Sequence, residues 1–316
     1  MINNDIRLFL KHELSDLARR HLLDGWPTDE SINLLCQRAA GLFVYAVATV
    51  KYLDKEFYLP DKQLETIISF PDHTKYEGEA SIDPLYLWIL RERFRVDDPV
   101  ICSKIRTIIG AVALLVNPLP PSGIAELMGL ETREVLLFLT ALQSLLLLDE
   151  DPTKTVKPFH KSFPDFITDP SRCADTRFYI SPEHLHFELM VNCLRVMNGE
   201  LEQDLLSLPS YALNSEVVDL ETRVNDRIGV ALRYACQYWY KHLPKTEGDI
   251  NDIVSRLRVF LEEKFLAWLE VVSALGATRG AVTALEKLIP WLQEVCFGLP
   301  SAFHSANGCD QSGCQG

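Results

Sequence analysis

Apolar residues recur through most of this chain at the three- to four-residue spacing of amphipathic helices. Residues 5–22 carry such a stripe among charged positions, which predicts a first helix. Thr28, followed by two acids, supplies the hydroxyl cap of a second helix, and this helix runs to Ala40. Gly41 interrupts the pattern, and a strongly apolar helix follows it. The opening stretch is therefore predicted to form three helices.

The helical pattern continues toward the middle of the chain. Residues 61–70 predict a short helix that ends before a proline. Asp83 is predicted to cap the next helix, with Pro84 at its first helical position. Pro99 then opens a long helix with a regular apolar stripe. The elements before Pro99 are assigned to a helical domain over residues 1–95.

The pattern changes after the segment NPLPPS. Residues 122–130 predict a short helix and residues 132–147 a longer one. An apolar run, an acidic turn and a short alternating segment then follow in LLLLDEDPTKTVKPF, which predicts a hairpin. Two helices followed by a hairpin are the order of a winged helix. We therefore assign residues 96–172 to a winged-helix domain.

The chain returns to helices after the segment HKSFPDFI. Further helices are predicted over residues 182–197, 226–243, 250–274 and 280–296. They form a C-terminal helical domain, residues 173–298, and the polar, glycine-rich tail at 299–316 is predicted to be disordered. The predicted fold class is all-α: a helical bundle plus a winged helix with a small β-hairpin, followed by a second helical bundle.

Composition and charge narrow the partners. The 316 residues include 31 basic and 44 acidic side chains, for a formal net charge of −13. An acidic chain without a long basic run is repelled by phosphate backbones and anionic lipids, so we expect neither nucleic acid nor membrane as a partner. The eight cysteines lie mostly in apolar helical surroundings, as reduced thiols of a cytoplasmic protein do. Protein partners are the expectation.

Catalytic and metal-binding motifs do not emerge. None of the 15 glycines precedes a Lys-Ser or Lys-Thr pair, so the chain lacks the sequence of a phosphate-binding loop. The run LLLLDE at 145–150 imitates a Walker B strand, but without that loop it serves no nucleotide. His184 and His186 lie two residues apart and so point to different helix faces. We predict no catalytic centre and no metal site, including among the tail residues His304, Cys309 and Cys314.

The predicted winged helix raises the question of DNA binding. Its second helix offers Arg133 against Glu131 and Glu134, and the wing turn reads Asp-Glu-Asp at 149–151. Phosphate contacts need lysine or arginine at these places. The helix is also apolar on nearly every face, which predicts that it is buried. This pattern favours packing against protein.

His160 is the candidate functional residue. It follows the predicted wing and precedes the helix in HKSFPDF. Spacing alone leaves two roles open, a structural cap of that helix or a contact to a ligand.

Taken together, several stretches resemble the region that follows the nucleotide-binding core in fungal NACHT-type STAND NTPases, which are similar to nephrocystin-like proteins and often carry WD40 repeats. The resemblance spans residues 5–243. It is carried by DIRLFLKHEL, AGLFVYAVATVKYL, LPPSGIAELMGL with LLLLDED, VKPFHKSFPDFITDPSRC, CADTRFYISPEHLHFELMVNCLRVM and ALRYACQYWYKHL.

The resemblance implies a signal-transducing switch that ADP holds closed and that ATP exchange opens into an oligomer. HKSFPDF resembles the motif whose histidine touches the ADP diphosphate, which implies that His160 is an ADP sensor. Gly41 and Leu42 resemble a Gly-Leu-Pro turn that lies against adenine, and Phe43 stands where that proline would be. The phosphate-binding segments should lie upstream of Met1, so we expect no cofactor for this chain unless a P-loop domain supplies ADP or ATP.

The main hypothesis is therefore a regulatory, protein-interacting segment of a NACHT-type switch, which is not catalytic alone and whose partners include a NACHT core or WD40 repeats. One alternative is a nucleotide-binding NTPase subunit that acts with a separate or missing core. The second alternative is a winged-helix nucleic-acid binder, which the acidic helix and wing disfavour.

Overall fold

The computed structural model describes residues 2–54, 59–69, 82–94, 97–209, 213–243 and 248–297. About 71% of the chain is helical and the described strands form a small antiparallel hairpin, so the all-α prediction is confirmed. The chain divides into two compact units, Met1–Leu185 and His186–Gly316. The three-domain division with boundaries at 95 and 172 stays a prediction. The predicted disordered tail and its His304, Cys309 and Cys314 lie outside the described residues.

The first unit contains nine helices within its described part, the hairpin, and the start of a tenth helix. Their bounds are α1 Ile2–Arg20, α2 Asp29–Ala39, α3 Phe43–Leu53, α4 Pro60–Ser69, α5 Asp83–Arg93, α6 Pro99–Leu114, α7 Pro121–Met128, α8 Thr132–Ala141, β1 Leu146–Leu147, β2 Lys157–Pro158, α9 Ser162–Ile167 and α10 Pro182–Glu200. The second unit continues with α11 Leu220–Arg227, α12 Val230–His242, α13 Ile250–Val259, α14 Phe265–Ala274 and α15 Thr278–Phe297.

Helices α1, α2 and α3 pack on one another, and their ends follow from local chemistry. Thr28 caps α2 as predicted, because its hydroxyl oxygen accepts the Ser31 N–H at 3.1 Å. Two consecutive left-handed residues then end α2: Ala40 with φ of 46° and Gly41 with φ of 83°. A left-handed residue satisfies the last carbonyls of a helix and turns the chain. The chain therefore reverses at once from α2 into α3.

The prediction that Asp83 caps α5 is wrong. Ile82 occupies the cap position and makes no side-chain cap bond. The Asp83 carboxylate instead accepts two hydrogen bonds from the Arg172 guanidinium, at 2.7 and 2.8 Å, and is 4% exposed. A buried carboxylate needs such a partner, and Arg172 comes from the loop after α9. This ion pair ties α5 to the end of α9.

The hairpin follows α8, as predicted, but α8 is shorter than expected. It ends at Ala141, not near residue 147, because turns through residues 142–145 lead into β1. β1 and β2 pair antiparallel, with Leu146 opposite Pro158. The prediction that α8 is buried on nearly every face is also wrong, since Leu137 is 70% exposed. The winged-helix name stays an interpretation that this element order supports.

The second unit is organised around tryptophans. Trp239 of α12 and Trp268 of α14 are fully buried, with ring centroids 6.3 Å apart. Trp268 Nε1 donates to the Cys236 carbonyl at 2.9 Å. A π-helical turn at Phe260–Lys264 joins α13 to α14 in one continuous rod. The single helix predicted over 226–243 is wrong in its first part, because the chain breaks at Gly229 between α11 and α12.

The hydropathy of the helices bears on the prediction about membranes, and the state of the cysteines bears on the prediction of reduced thiols. Through the described ranges, each helix is too short or too polar to cross a bilayer. Cys36, Cys102, Cys173, Cys193 and Cys236 are free thiols, and all except Cys36 are buried. Burial raises the pKa of Cys173 to about 12 and raises the pKa of Cys193 and Cys236 as well, which keeps these thiols protonated and unreactive.

Candidate functional site

A pocket of about 400 Å³ lies in the first unit. That volume is within the range of small-molecule sites in proteins. It is lined by Gly41, Leu42, Phe43, Val44, Val47, Phe159, His160 and Ser162. The structure thus brings together the turn at Gly41 and Leu42 and the distant His160, which were singled out separately in the sequence. Their roles toward a nucleotide stay proposals.

One wall of the pocket is the turn from α2 into α3 and the first half of α3. Gly41 has a φ of 83°, a left-handed conformation that side chains other than glycine rarely adopt. Leu42 is the cap residue of α3 and makes no side-chain cap bond. Val44 and Val47, three residues apart on one helix face, continue the wall. Phe43 is 43% exposed and its ring centroid lies 4.9 Å from that of Phe9.

A second part of the pocket lining comes from the residues between β2 and α9. The Phe159 N–H donates to the Leu145 carbonyl at 2.8 Å, which continues the hairpin pairing beyond β2. His160 and Ser162 follow at the start of α9. The hairpin therefore sets the position of this part of the lining, and its acidic turn lies at the other end of the strands.

His160 makes the structural contact that was one of its two predicted roles. Its Nδ1 accepts the Ser162 backbone N–H at 3.2 Å and so caps the start of α9. The same nitrogen lies 2.8 Å from Ser162 Oγ, which in turn lies 2.8 Å from the Tyr86 hydroxyl. Nε2 has no hydrogen-bond partner in the described part of the chain. One ring nitrogen is thus structural, and the other remains available to a ligand.

One cationic side chain, Lys51, lies next to a residue of the pocket lining. Lys51 Nζ lies 4.1 Å above the centroid of the Phe159 ring, a cation–π geometry. Burial lowers the pKa of this ammonium, which also makes no ion pair with the described residues. The pocket lining contains no carboxylate among the residues that the structure describes. The lining itself therefore holds no carboxylate that would repel an anionic ligand, despite the net charge of the chain.

Sequence reasoning missed several of these residues. Ser162 is part of the HKSFPDF segment, so its neighbourhood was indicated although its contact to His160 was not. Phe159 gave only the signal of alternation in β2. Tyr86 and Lys51 reach the site from α5 and from the end of α3, and nothing in their local sequence predicts that.

In the described part of the chain, no group of three or more histidine, cysteine or acidic side chains converges as a metal site would require. The prediction about His184 and His186 is consistent with their exposure. His184 is exposed, whereas His186 is 6% exposed and its Nδ1 lies 2.9 Å from His242 Nδ1.

Comparison with known proteins gives a distant similarity. The chain is 22% identical to vegetative incompatibility protein HET-E-1 of Podospora anserina, over 91% of this chain and 22% of that protein. The chain therefore spans about a fifth of the length of the curated relative it matches. No family model and no solved structure matches the chain. The match supports, at a coarse level, the resemblance to fungal NACHT-type signalling proteins.

Proposed function

We propose that this chain is a regulatory, protein-interacting segment of a NACHT-type signalling switch, and that its pocket receives part of a nucleotide. The observation that carries the proposal is the meeting of Gly41, Leu42 and His160 around one pocket. The two sequence segments resemble nucleotide-contacting segments of the same family, and their common place around one pocket supports a shared ligand site. The similarity to an incompatibility protein supports the signalling class.

In this proposal the apolar turn holds the base and the histidine holds a phosphate. Gly41 and Leu42 present backbone and a small apolar surface, to which a planar base can pack. Phe43 and Phe159 add aromatic rings, which stack well on bases. His160 offers a ring nitrogen in the second part of the lining, and Lys51 adds positive charge beside Phe159. ADP, with a flat aromatic base and an anionic diphosphate, has the matching chemistry.

The chain is proposed to bind ADP weakly when it is alone. A nucleotide triphosphatase holds phosphate with a ring of backbone N–H groups and a lysine, and this sequence has no such loop. One histidine and one lysine do not replace that ring. We expect a dissociation constant on the order of 1 mM, which corresponds to about 4 kcal/mol of binding free energy. Catalysis and tight binding would then require a core domain as partner.

Titration of the isotopically labelled chain with ADP tests this proposal. We expect nuclear magnetic resonance signals of the pocket residues to shift with saturation near 1 mM, a value on the order set by weak binding. Adenosine should shift the signals of Gly41 and Val44 but not the ring signals of His160. Absence of any pocket shift with ADP would contradict the proposal.

The same titration discriminates the alternative of a nucleotide-binding NTPase subunit. Micromolar binding of ADP or ATP by the chain alone would favour that alternative. Such tight binding needs a set of backbone donors around the phosphates, and the main hypothesis gives this chain none. Calorimetry measures this range directly. His160→Ala serves as the matched variant in both cases.

Nucleic-acid binding is tested with a short DNA duplex. The exposed face of α8 presents Arg133 beside Glu131, and Lys104 pairs with Glu134 at 2.6 Å, so little free positive charge remains there. We expect no salt-dependent change in fluorescence anisotropy when the chain is added to labelled duplex. Binding that weakens steeply with salt would favour the nucleic-acid alternative.

A further inference from the structure

A short chain of hydrogen bonds runs from α5 to the pocket. The Tyr86 hydroxyl lies 2.8 Å from Ser162 Oγ, and Ser162 Oγ lies 2.8 Å from His160 Nδ1. The Ser162 backbone N–H donates to the same Nδ1 at 3.2 Å. Tyr86 and Ser162 are 2% and 1% exposed, so water does not compete for these bonds.

The backbone N–H sets the direction of the whole chain. An N–H group can only donate, so His160 Nδ1 must carry a lone pair and no proton. The Ser162 hydroxyl then also donates to Nδ1, since a proton on Nδ1 would contradict the first bond. With its proton directed at the histidine, Ser162 Oγ accepts from the Tyr86 hydroxyl. A single assignment of protons is therefore consistent with all three contacts, with the Ser162 N–H and hydroxyl sharing the one Nδ1 lone pair.

We propose that Ser162 and Tyr86 are positioning residues that hold His160 as the neutral tautomer with its proton on Nε2. The ring nitrogen left for a ligand is then a hydrogen-bond donor. A donor at this place attracts an anionic oxygen, whereas the other tautomer would present a lone pair and repel it. The role toward a phosphate oxygen rests on the proposed function, but the tautomer does not.

The packing of α5 keeps the tyrosine in place. Its ring contacts Phe163 and Phe166 of α9, with centroid distances of 5.2 and 5.6 Å. The Asp83–Arg172 ion pair, one turn earlier on α5, joins α5 to the loop that follows α9. Burial raises the pKa of Tyr86 to about 12, so the hydroxyl keeps the proton that it donates. The donor end of the chain is thereby fixed in both position and protonation.

Nitrogen-15 spectroscopy of the wild-type chain tests the tautomer directly. At mildly alkaline pH, where imidazoles are neutral, we expect His160 Nδ1 to resonate as an unprotonated ring nitrogen and Nε2 as a protonated one. The reverse assignment, or equal population of both tautomers, would overturn the inference. This measurement needs neither a ligand nor a variant.

Variants then test the positioning roles. Ser162→Ala removes one donor to Nδ1 and should raise the share of the other tautomer about fivefold, the effect of one lost hydrogen bond. Tyr86→Phe keeps the ring packing and should shift the ratio in the same direction by a smaller factor. It also decides the case if Ser162→Ala does not fold. Tyr234→Phe, which removes a buried hydroxyl in the second unit, is the matched control and should leave the His160 spectrum unchanged. An unchanged tautomer ratio in both pocket variants would overturn the positioning roles.

A ligand arm separates this inference from the proposed function. A glutamine at 160 places its amide near the position of Nε2, and an asparagine places it near that of Nδ1. We expect His160→Gln to retain more of the ADP-induced shift than His160→Asn, and equal loss would overturn Nε2 as the ligand-facing nitrogen. The Nε2-protonated tautomer without any ADP response would support the inference and remove the proposed function.

Discussion

Each unit of this protein contains a histidine in a hydrogen-bond chain that ends on a tyrosine, and the two hydrogen-bond chains differ in how deeply the histidine is buried. In the second unit His186 and His242 join through their Nδ1 atoms at 2.9 Å, and His242 Nε2 lies 2.9 Å from the Tyr234 hydroxyl. Both of these histidines are buried, at 6% and 0% exposure. In the first unit His160 is half-buried and lines a pocket.

The difference shows how burial decides what a histidine can do. A buried ring with both nitrogens bonded is part of the core, and its removal costs stability. A half-buried ring with one nitrogen unused stays available to a ligand. The residue type, and even the tyrosine at the end of the chain, are shared by both cases. The pocket is what distinguishes them.

The largest expected effect tests this comparison directly. His242→Ala opens a cavity in the second unit and removes the imidazole to which His186 and Tyr234 bond, which should lower the free energy of unfolding by about 3 kcal/mol. His160→Ala loses a helix cap and should cost about 1 kcal/mol. Urea denaturation followed by circular dichroism measures both. His12→Ala, with a side chain that is 76% exposed, is the control. A larger loss for His160→Ala would break the comparison.

The pH dependence of stability sharpens the comparison, because the first unit also contains an aspartate, Asp175, whose carboxyl pKa is strongly lowered. Asp175 accepts hydrogen bonds from Arg91 Nε at 2.9 Å and Arg177 Nη2 at 2.8 Å, and these guanidinium groups, Arg177 above all, hold the pKa of its carboxyl far below the ordinary range. The resulting stability is present above the ordinary aspartate pKa and is lost as pH falls toward the lower folded-state value.

We therefore expect Asp175→Asn to cost about 2 kcal/mol at neutral pH. The deficit should shrink in acid, where the wild-type carboxylate also becomes protonated. Denaturant unfolding at a series of pH values measures this. Asp24→Asn, at an exposed loop position, is the matched control. A deficit that does not depend on pH would show that the charge of Asp175 contributes nothing.

A smaller effect on stability is expected at Gly41, in the turn that lines the pocket, where the backbone is left-handed. Gly41→Ala meets no atom closer than 3.8 Å but places a side chain at a φ of 83°, which should cost about 1 kcal/mol. Gly199→Ala, in α10 with open space around it and no left-handed φ, should instead stabilise by about 0.5 kcal/mol. Thermal unfolding compares the two. If both substitutions changed the stability in the same direction, the left-handed conformation of Gly41 would not be required.

The smallest effect on stability comes from Lys51, which lies over the ring of the pocket residue Phe159. Lys51→Met should change the free energy of unfolding by less than about 1 kcal/mol, the size of a partly exposed cation–π contact. It should weaken ADP binding about threefold in the same spectroscopic titration, since one charge near the phosphates is lost. Lys62→Met is the control, because Lys62 is exposed on α4 and pairs with Glu65 at 3.1 Å. Equal ADP affinity in both variants would exclude Lys51 from the site.

The sequence predicted the helices of the first unit well where periodicity and caps agree. Thr28, the acids after it and Gly41 marked both ends of α2, because capping is a local property of the chain. It failed at residues 142–147, because the leucine run that starts at residue 145 has no period that separates helix from strand. Asp83 is a residue type that often caps helices, but its carboxylate pairs with Arg172. The local sequence does not encode that contact.

The candidate site was partly accessible in the same way. Gly41, Leu42 and His160 stood in segments with a family resemblance, so each could be named before its neighbours were known. Their meeting, and the contacts of Ser162 and Tyr86, depend on how α3, α5 and the hairpin pack together. Tertiary contacts of this kind have no signal in the spacing of residues along the chain.

The π-helical turn at Phe260–Lys264 makes the packing of α14 sensitive to the number of residues in the rod from α13 to α14. A π-turn accommodates one residue more than a regular turn, and each residue of an α-helix rotates the next by about 100°. The direction in which the side chains of α14 face therefore depends on that one extra residue. Phe260, the first residue of this turn, and Trp268 of α14 are both fully buried, with ring centroids 5.6 Å apart. A change of one residue in length there would matter more than most changes of side chain.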